Sequence, residues 1–386
     1  MKITNDIKYI GVNDHEVDLF EGQYVVPNGM SYNSYVVFDD KITVFDSVDA
    51  HFCKEWLANL TEALEGKTPD YFVVQHMEPD HSANVAAFMA AYPSATVVSS
   101  QKAFAMMQNY FGDSFEQRRI VVGDGSTLST GRHEFLFVTA PMVHWPEVVM
   151  TYDKSDKVLF SADAFGKFGA LDKEDDDWAC EARRYYFGIV GKYGVQVQNL
   201  FKKIANLEIN TICPLHGPVL DQNLGYYLNL YNVWSTYAAE TEGVFVAYAS
   251  VYGHTKAAAQ LLAESLEQKG VKVAISDLAR SDWAECVGDA FRYSKLVLAA
   301  PTYNGDVFPA MKEFILHLTE RNFQNRKVAF IENGSWAPFA TKAMKSLLEG
   351  SKNLQFVEPE IKILSAMTAE NEAQIQTLAT ELTNQN

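Results

Sequence analysis

From residue 244 onward the chain alternates short apolar runs with helical segments, and few folds accommodate that rhythm. Residues 244–249, 271–275, 296–300 and 328–331 are almost uninterruptedly apolar, as parallel strands covered on both faces must be. Residues 255–268, after the first of them, carry Ala258, Leu261, Leu262 and Leu266 on one helical side. Roughly 140 residues of this pattern predict a small doubly wound parallel sheet. The preceding residues follow a different rhythm. Residues 31–38 and 41–45 read as strands joined at Asp39-Asp40, and residues 71–74 as a strand running straight into Gln75-His76. Residues 83–91 read as a helix ending before Pro93, and residues 134–139 and 157–161 as strands that open into polar loops. Residues 223–238 have helical spacing and lead into Thr241-Glu242-Gly243. The boundary is placed there, with residues 1–242 as one α/β domain and 243–386 as the other.

A chain of 386 residues suits two domains. Its 32 basic against 49 acidic residues leave a net charge of −17, a field that repels phosphate backbones and disfavours nucleic acid as a partner. No apolar run is long enough for a membrane span, and the N-terminus lacks the order of a signal peptide. The expectation is a soluble, cytoplasmic protein without a membrane partner. Cys53, Cys180, Cys213 and Cys286 are scattered, which argues against a disulfide framework and against a thiolate metal site.

The sharpest chemical signal is His76-Met-Glu78-Pro-Asp80-His81, which sets four ligand-type side chains just past a strand end. If the segment starts extended, His76, Glu78 and Asp80 share a side and His81 follows at the turn, enough to serve two adjacent metals. His144, Asp163 and His216 each lie where a loop leaves a predicted strand. A carboxylate such as Asp163 can bridge two cations with one oxygen to each. Four imidazoles and three carboxylates form a nitrogen and oxygen donor set without sulfur; it suits iron or manganese, and ligand type alone leaves zinc open.

The second domain carries a different signal. Ser250, Val251, Tyr252, Gly253, His254 and Thr255 lie between its first strand and the helix that follows. A phosphate there would meet backbone N–H groups, two hydroxyls and the positive end of the helix dipole. Neither a triphosphate loop nor a dinucleotide fingerprint is present. Pro301, Thr302, Tyr303, Asn304 and Gly305 follow the strand at 296–300, and Asn333, Gly334, Ser335 and Trp336 follow the one at 328–331. Three loops at carboxyl ends of parallel strands match the rule for ligand crevices.

These motifs resemble a known family. A metallo-β-lactamase-fold hydrolase shows His-x-His-x-Asp-His followed by His, Asp and His, and this chain follows the scheme with Glu78 in place of the second His. That replacement is similar to the flavodiiron proteins (A-type flavoproteins), and the phosphate loop has flavodoxin spacing. The resemblance spans essentially the whole chain in its minimal two-domain form. It implies a metallo-β-lactamase-like αββα domain followed by a flavodoxin-like domain, with FMN and two iron ions per chain. His76, Glu78 and His144 would hold one iron, Asp80, His81 and His216 the other, and Asp163 would bridge them. The FMN ring would lie between the 301–305 and 333–336 loops, with Trp336 or Tyr303 covering part of it. The implied activity is reduction of O2 to water, of NO to N2O, or both, with electrons from rubredoxin or another reductase relayed through FMN. The implied assembly is a head-to-tail homodimer or a dimer of dimers. Two departures stand out: residues 22–30 contain no histidine, where some members place one near the metals, and Leu215 stands where many carry Ser. His15, His51, His133 and His317 match no ligand motif and read as surface or structural histidines. Two other readings are a zinc metallohydrolase fused to a flavodoxin module, and a non-catalytic redox or gas sensor.

Overall fold

Short strands with buried inward positions give the first part of the chain two sheets that share one dry interior. The computed structural model describes residues 2–173 and 177–384. The chain folds as two compact units, Met1–Asn232 and Val233–Asn386. This division falls inside the helix Leu224–Ser235, ahead of the Thr241-Glu242-Gly243 segment.

In the first unit a six-stranded sheet runs in the order Ile7–Tyr9, Tyr35–Val37, Thr43–Phe45, Tyr71–Val73, Thr96–Ser100 and Arg119–Val122. Its last four strands are mutually parallel. A five-stranded sheet contains Thr127–Ser129, Glu134–Thr139, Val149–Asp153, Val158–Phe160 and Thr211–Cys213. The core between the sheets takes Tyr35, Phe45, Val73 and Val98 from one and Phe135, Phe137, Val149 and Phe160 from the other. Phe45 and Phe160 stack across it with centroids 4.1 Å apart and planes 7° from parallel. Outside the first sheet, Trp56 of the helix Cys53–Leu64 and Phe88 of Val85–Ala91 bury against Phe72. The unit is thus an αββα sandwich.

Strand directions decide where the functional loops emerge. Glu134–Thr139 and Val158–Phe160 both run antiparallel to Val149–Asp153, and Thr211–Cys213 runs parallel to Val158–Phe160. The loops bearing His144, Asp163 and His216 therefore leave the same end of that sheet. Residues 31–38 are two strands rather than one: Met30–Tyr32 pairs with Val12–Asp14, while Tyr35–Val37 forms the hairpin with Thr43–Phe45. The break has a cause in buried Asn33, whose Nδ2 donates to the carbonyls of Pro214 at 2.8 Å and Gly217 at 2.7 Å. Those bonds draw the chain out of the ladder and toward the His216 loop.

The second unit is doubly wound. Its parallel strands run Val273–Asp277, Thr241–Tyr248, Tyr293–Tyr303 and Lys327–Asn333, with Gln355–Phe356 and Ile361–Ile363 both beside the last. Helices His254–Gln268 and Ala369–Thr383 bury Leu262, Leu266, Ile375 and Leu378 against one face. Helices Trp283–Arg292 and Pro309–Glu320 pack on Tyr293–Tyr303 as well. The buried Arg326 guanidinium donates to the carbonyls of Tyr237, Ala238 and Phe291, tying the segment that precedes the first strand to a helix end. Among the described residues, no helix is long and apolar enough to cross a membrane.

His133 is a structural histidine of the first unit: it is fully buried, with Nδ1 2.7 Å from Asp153 Oδ2. Burial pulls its pKa down, but the Asp153 carboxylate outweighs this and the net shift is upward. A protonated ring so held adds stability that is complete below the unfolded value of 6.5 and is lost as pH rises through the higher folded value. Asp153→Asn should flatten that part of the pH dependence. Thermal midpoints of both proteins across about pH 5.5 to about pH 8.5 check it, and parallel curves would refute it.

Candidate metal centre

The ligand-type motif begins extended and then changes conformation. After Tyr71–Val73 the chain runs straight to Glu78, which caps a single helical turn, Pro79–Ser82. Pro79 at the first helical position suits that turn, since its missing N–H would have no partner there. Alternation therefore ends at Glu78, and Asp80 does not share a side with His76 and Glu78. The turn rotates Asp80 and His81 into a second group.

Buried Asp46, at the end of Thr43–Phe45, shapes the approach. Its Oδ1 accepts the Gln75 N–H at 2.7 Å and its Oδ2 the Gln75 side-chain amide at 2.9 Å. Burial raises its pKa, the Gln75 bonds oppose this, and the net value is about 6.

Seven side chains from four loops form two adjacent groups. His76, Glu78, His144 and Asp163 make one, and Asp80, His81 and His216 the other. In the first, Glu78 Oε2 lies 3.2 Å from His76 Nε2 and 3.0 Å from His144 Nε2. In the second, Asp80 Oδ2 lies 3.2 Å from His216 Nε2 and 3.3 Å from His81 Nε2. Asp163 faces both: its Oδ2 is 3.0 Å from His144 Nε2, and its Oδ1 is 3.2 Å from His81 Nε2.

The electrostatics are strongly coupled. Burial opposes charge on His76, His81, His144, Glu78 and Asp163, yet these three histidines sit among carboxylates. Asp163 and Glu147 carry His76 well above its ordinary value, Asp80 and Asp163 raise His81, and hydrogen bonds to Asp163 and Glu78 lift His144 to about 9. Burial would raise Glu78 and Asp163, but His144 and His76 hold Glu78 low, and His76 and His81 hold Asp163 well below the carboxylate range.

Protein groups alone leave this donor set unsatisfied. His81 Nε2 faces His216 Nε2 at 3.0 Å and His76 Nε2 faces His144 Nε2 at 3.3 Å, and two such nitrogens share at most one proton comfortably. Both Asp80 oxygens are buried without a hydrogen-bond partner among the described residues. Lone pairs aimed at a common point fit a cation there, and nitrogen with oxygen donors fits iron. Rings of Phe20, Tyr32 and Tyr185 stand 5.4, 5.9 and 5.6 Å from His216 and close that side to solvent. Leu215 is fully buried and its N–H donates to the Ala162 carbonyl. Asp46 and Glu147 belong to no ligand motif and are silent in the sequence.

In the second unit the three loops leave the carboxyl ends of neighbouring parallel strands. Gly253, at φ +95°, caps the helix His254–Gln268, and its N–H donates to Ser250 Oγ at 3.1 Å. Thr255 is buried, while Tyr252 and His254 are exposed. Pro301, Thr302 and Tyr303 are a continuation of the strand Tyr293–Tyr303 rather than loop. Asn304 and Gly305, both at positive φ, then turn the chain into Asp306–Val307. Thr302 Oγ1 accepts the N–H groups of Phe339 at 2.7 Å and Ala340 at 3.1 Å. Asn333 donates to the Ser365 carbonyl at 3.0 Å, the Gly334 N–H donates to the Ile363 carbonyl, and Ser335 meets Ser365. Trp336 is 91% exposed and Tyr303 46%.

Comparison with known proteins agrees with both halves. An ODP family beta lactamase domain matches residues 30–217, and a flavodoxin domain matches residues 245–364. The rubredoxin oxygen:oxidoreductase of the anaerobe Desulfovibrio gigas superposes with a TM-score of 0.91 at 25% identity, covering 99% of this chain and 97% of that one. The chain belongs to the flavodiiron protein family. The flavodiiron protein of Giardia intestinalis shares the fold, with a TM-score of 0.88 at 24% identity over 99% and 95% of the two chains. The nitric oxide reductase of Moorella thermoacetica is 27% identical over 92% of this flavodiiron chain and 91% of its own.

Asp46→Ala removes the acceptor of the Gln75 donors beside the candidate metal ligands. A loss on the order of 3 kcal/mol is expected from urea unfolding. An unchanged midpoint would contradict the role given to this carboxylate.

Proposed function

We propose that this flavodiiron chain is an oxidoreductase that reduces O2 to water, NO to N2O, or both, at a di-iron centre supplied with electrons through FMN. The observation that carries the reading is Asp163, with one carboxylate oxygen toward each of two histidine-containing groups. His76, Glu78 and His144 would hold one iron, Asp80, His81 and His216 the other, with Asp163 bridging. When bound, the irons and the flavin supply the electron storage that O2 + 4e⁻ + 4H⁺ → 2H2O or 2NO + 2e⁻ + 2H⁺ → N2O + H2O requires.

The chain's own residues hold and insulate. Glu78, Asp80 and Asp163 provide anionic oxygens that offset the charge of two neighbouring cations. Phe20, Tyr32 and Tyr185 cover the His216 side, which limits water in the pocket. In the crevice, Ser250, Thr255 and the N–H groups around Gly253 would receive the FMN phosphate at the helix N-terminus. The turn at Asn304-Gly305 and the segment Asn333, Gly334, Ser335 and Trp336 would frame the ring. Rubredoxin, or another reductase, is the proposed donor, and a head-to-tail homodimer the proposed assembly.

Anaerobic metal and flavin analysis with steady-state consumption of O2 and NO, driven by reduced rubredoxin, tests the reading. Two irons and one FMN per chain with gas consumed support it. Zinc with ester hydrolysis would assign a metallohydrolase instead, and bound cofactors without turnover under any donor a sensor. His81→Ala or Asp163→Ala should abolish gas reduction while FMN stays bound; activity retained after iron is lost would remove the ligand assignment. Gly253→Val forces a branched side chain into a left-handed conformation at a cost of about 1–2 kcal/mol. It should weaken FMN retention with iron content unchanged, and normal flavin occupancy would count against the phosphate loop.

A further inference from the structure

The histidines of the two groups are not anchored alike. His76 Nδ1 lies 2.8 Å from Glu147 Oε1, and both side chains are shut off from solvent. The same oxygen accepts the Met77 N–H at 2.8 Å, so one carboxylate grips the ring and the backbone beside it. In the other group, His216 Nδ1 meets only a neutral acceptor, the Ser31 carbonyl at 2.7 Å. His81 Nδ1 is buried with no hydrogen-bond partner among the described residues.

With Nε2 turned toward the cluster, Nδ1 carries the proton and donates outward. A carboxylate on that proton fixes the tautomer, orients the ring and makes Nε2 the stronger donor; a carbonyl does this less, and an empty Nδ1 not at all. Burying an ionised carboxylate is costly unless it is fully paired, and Glu147 Oε2 has no hydrogen-bond partner among the described residues. The fold does not need this charge to seat the segment. The backbone carbonyl of Glu147 accepts Ser100 Oγ at 2.8 Å, and the Val149 N–H donates to the Gln75 carbonyl at 3.1 Å.

Resting on the di-iron reading, we propose that Glu147 is a positioning residue that makes the two iron positions unequal. The position served by His76, Glu78 and His144 is the tighter and more electron-rich. The position served by Asp80, His81 and His216 empties first.

The test uses the full-length protein, wild type and Glu147→Gln, with iron occupancy followed under anaerobic competition from a graded chelator. FMN content and thermal midpoint are read in the same samples, and Mössbauer spectra report the two iron environments. The wild type should release iron in two separated steps. In Glu147→Gln the tighter position should weaken about 10–100-fold, so that the steps merge, and its Mössbauer signature should shift while FMN content stays at the wild-type value. Glu147→Asp, which keeps the charge, should restore part of the separation. Two wild-type irons leaving with one affinity would overturn the proposal without any variant. Wild-type iron affinities and spectra in Glu147→Gln would overturn it while leaving the di-iron reading standing. A wild-type protein that takes up no iron would bring down the di-iron reading itself.

Discussion

Everything at this site depends on the cost of keeping charges away from water. Four imidazoles and three carboxylates are packed at one end of a sandwich whose interior is otherwise aromatic and aliphatic. Burial alone would favour the neutral forms of His76, His81, His144, Glu78 and Asp163; the opposite charges facing them raise these three histidines and lower these two carboxylates. That arrangement tolerates no looseness, which explains why the supporting bonds of Asp46 and Asn33 reach from strand ends into the loops. The stiff sandwich behind them, with Phe45 stacked on Phe160, supplies a fixed frame for the clustered groups.

Much of the plan was legible in the sequence because it rested on local patterns. Near-continuous apolar runs identified the parallel strands of the second unit, and the seven ligand-type residues lay where strands were expected to end. What escaped were features set by tertiary contact. The strand at residues 31–38 breaks because Asn33 finds carbonyls 181 and 184 residues away, partners no window can show. Asp80 parts from His76 because Pro79 opens a helical turn within the motif. Glu147 carries no signal of its own, since its importance comes from a ring 71 positions earlier in the chain.

The crevice of the second unit teaches the same lesson in reverse. The sequence treats Pro301-Thr-Tyr-Asn-Gly as one loop, because proline and Asn-Gly are strong punctuation. In the structure the sheet extends through Pro301, since its partner strand runs on to Asn333, and only Asn304-Gly305 turn the chain. Proline is tolerated there because pairing with one neighbour, Thr241–Tyr248, has already ended at Ala299.

The hydroxyl of Thr302 accepts the backbone N–H groups of Phe339 and Ala340, which ties the segment after Trp336 back to the neighbouring strand beyond the ladder that pairs Pro301 with Asn333. A planar guest beside these segments would meet backbone already held by the chain's own bonds, leaving less ordering for its binding to supply.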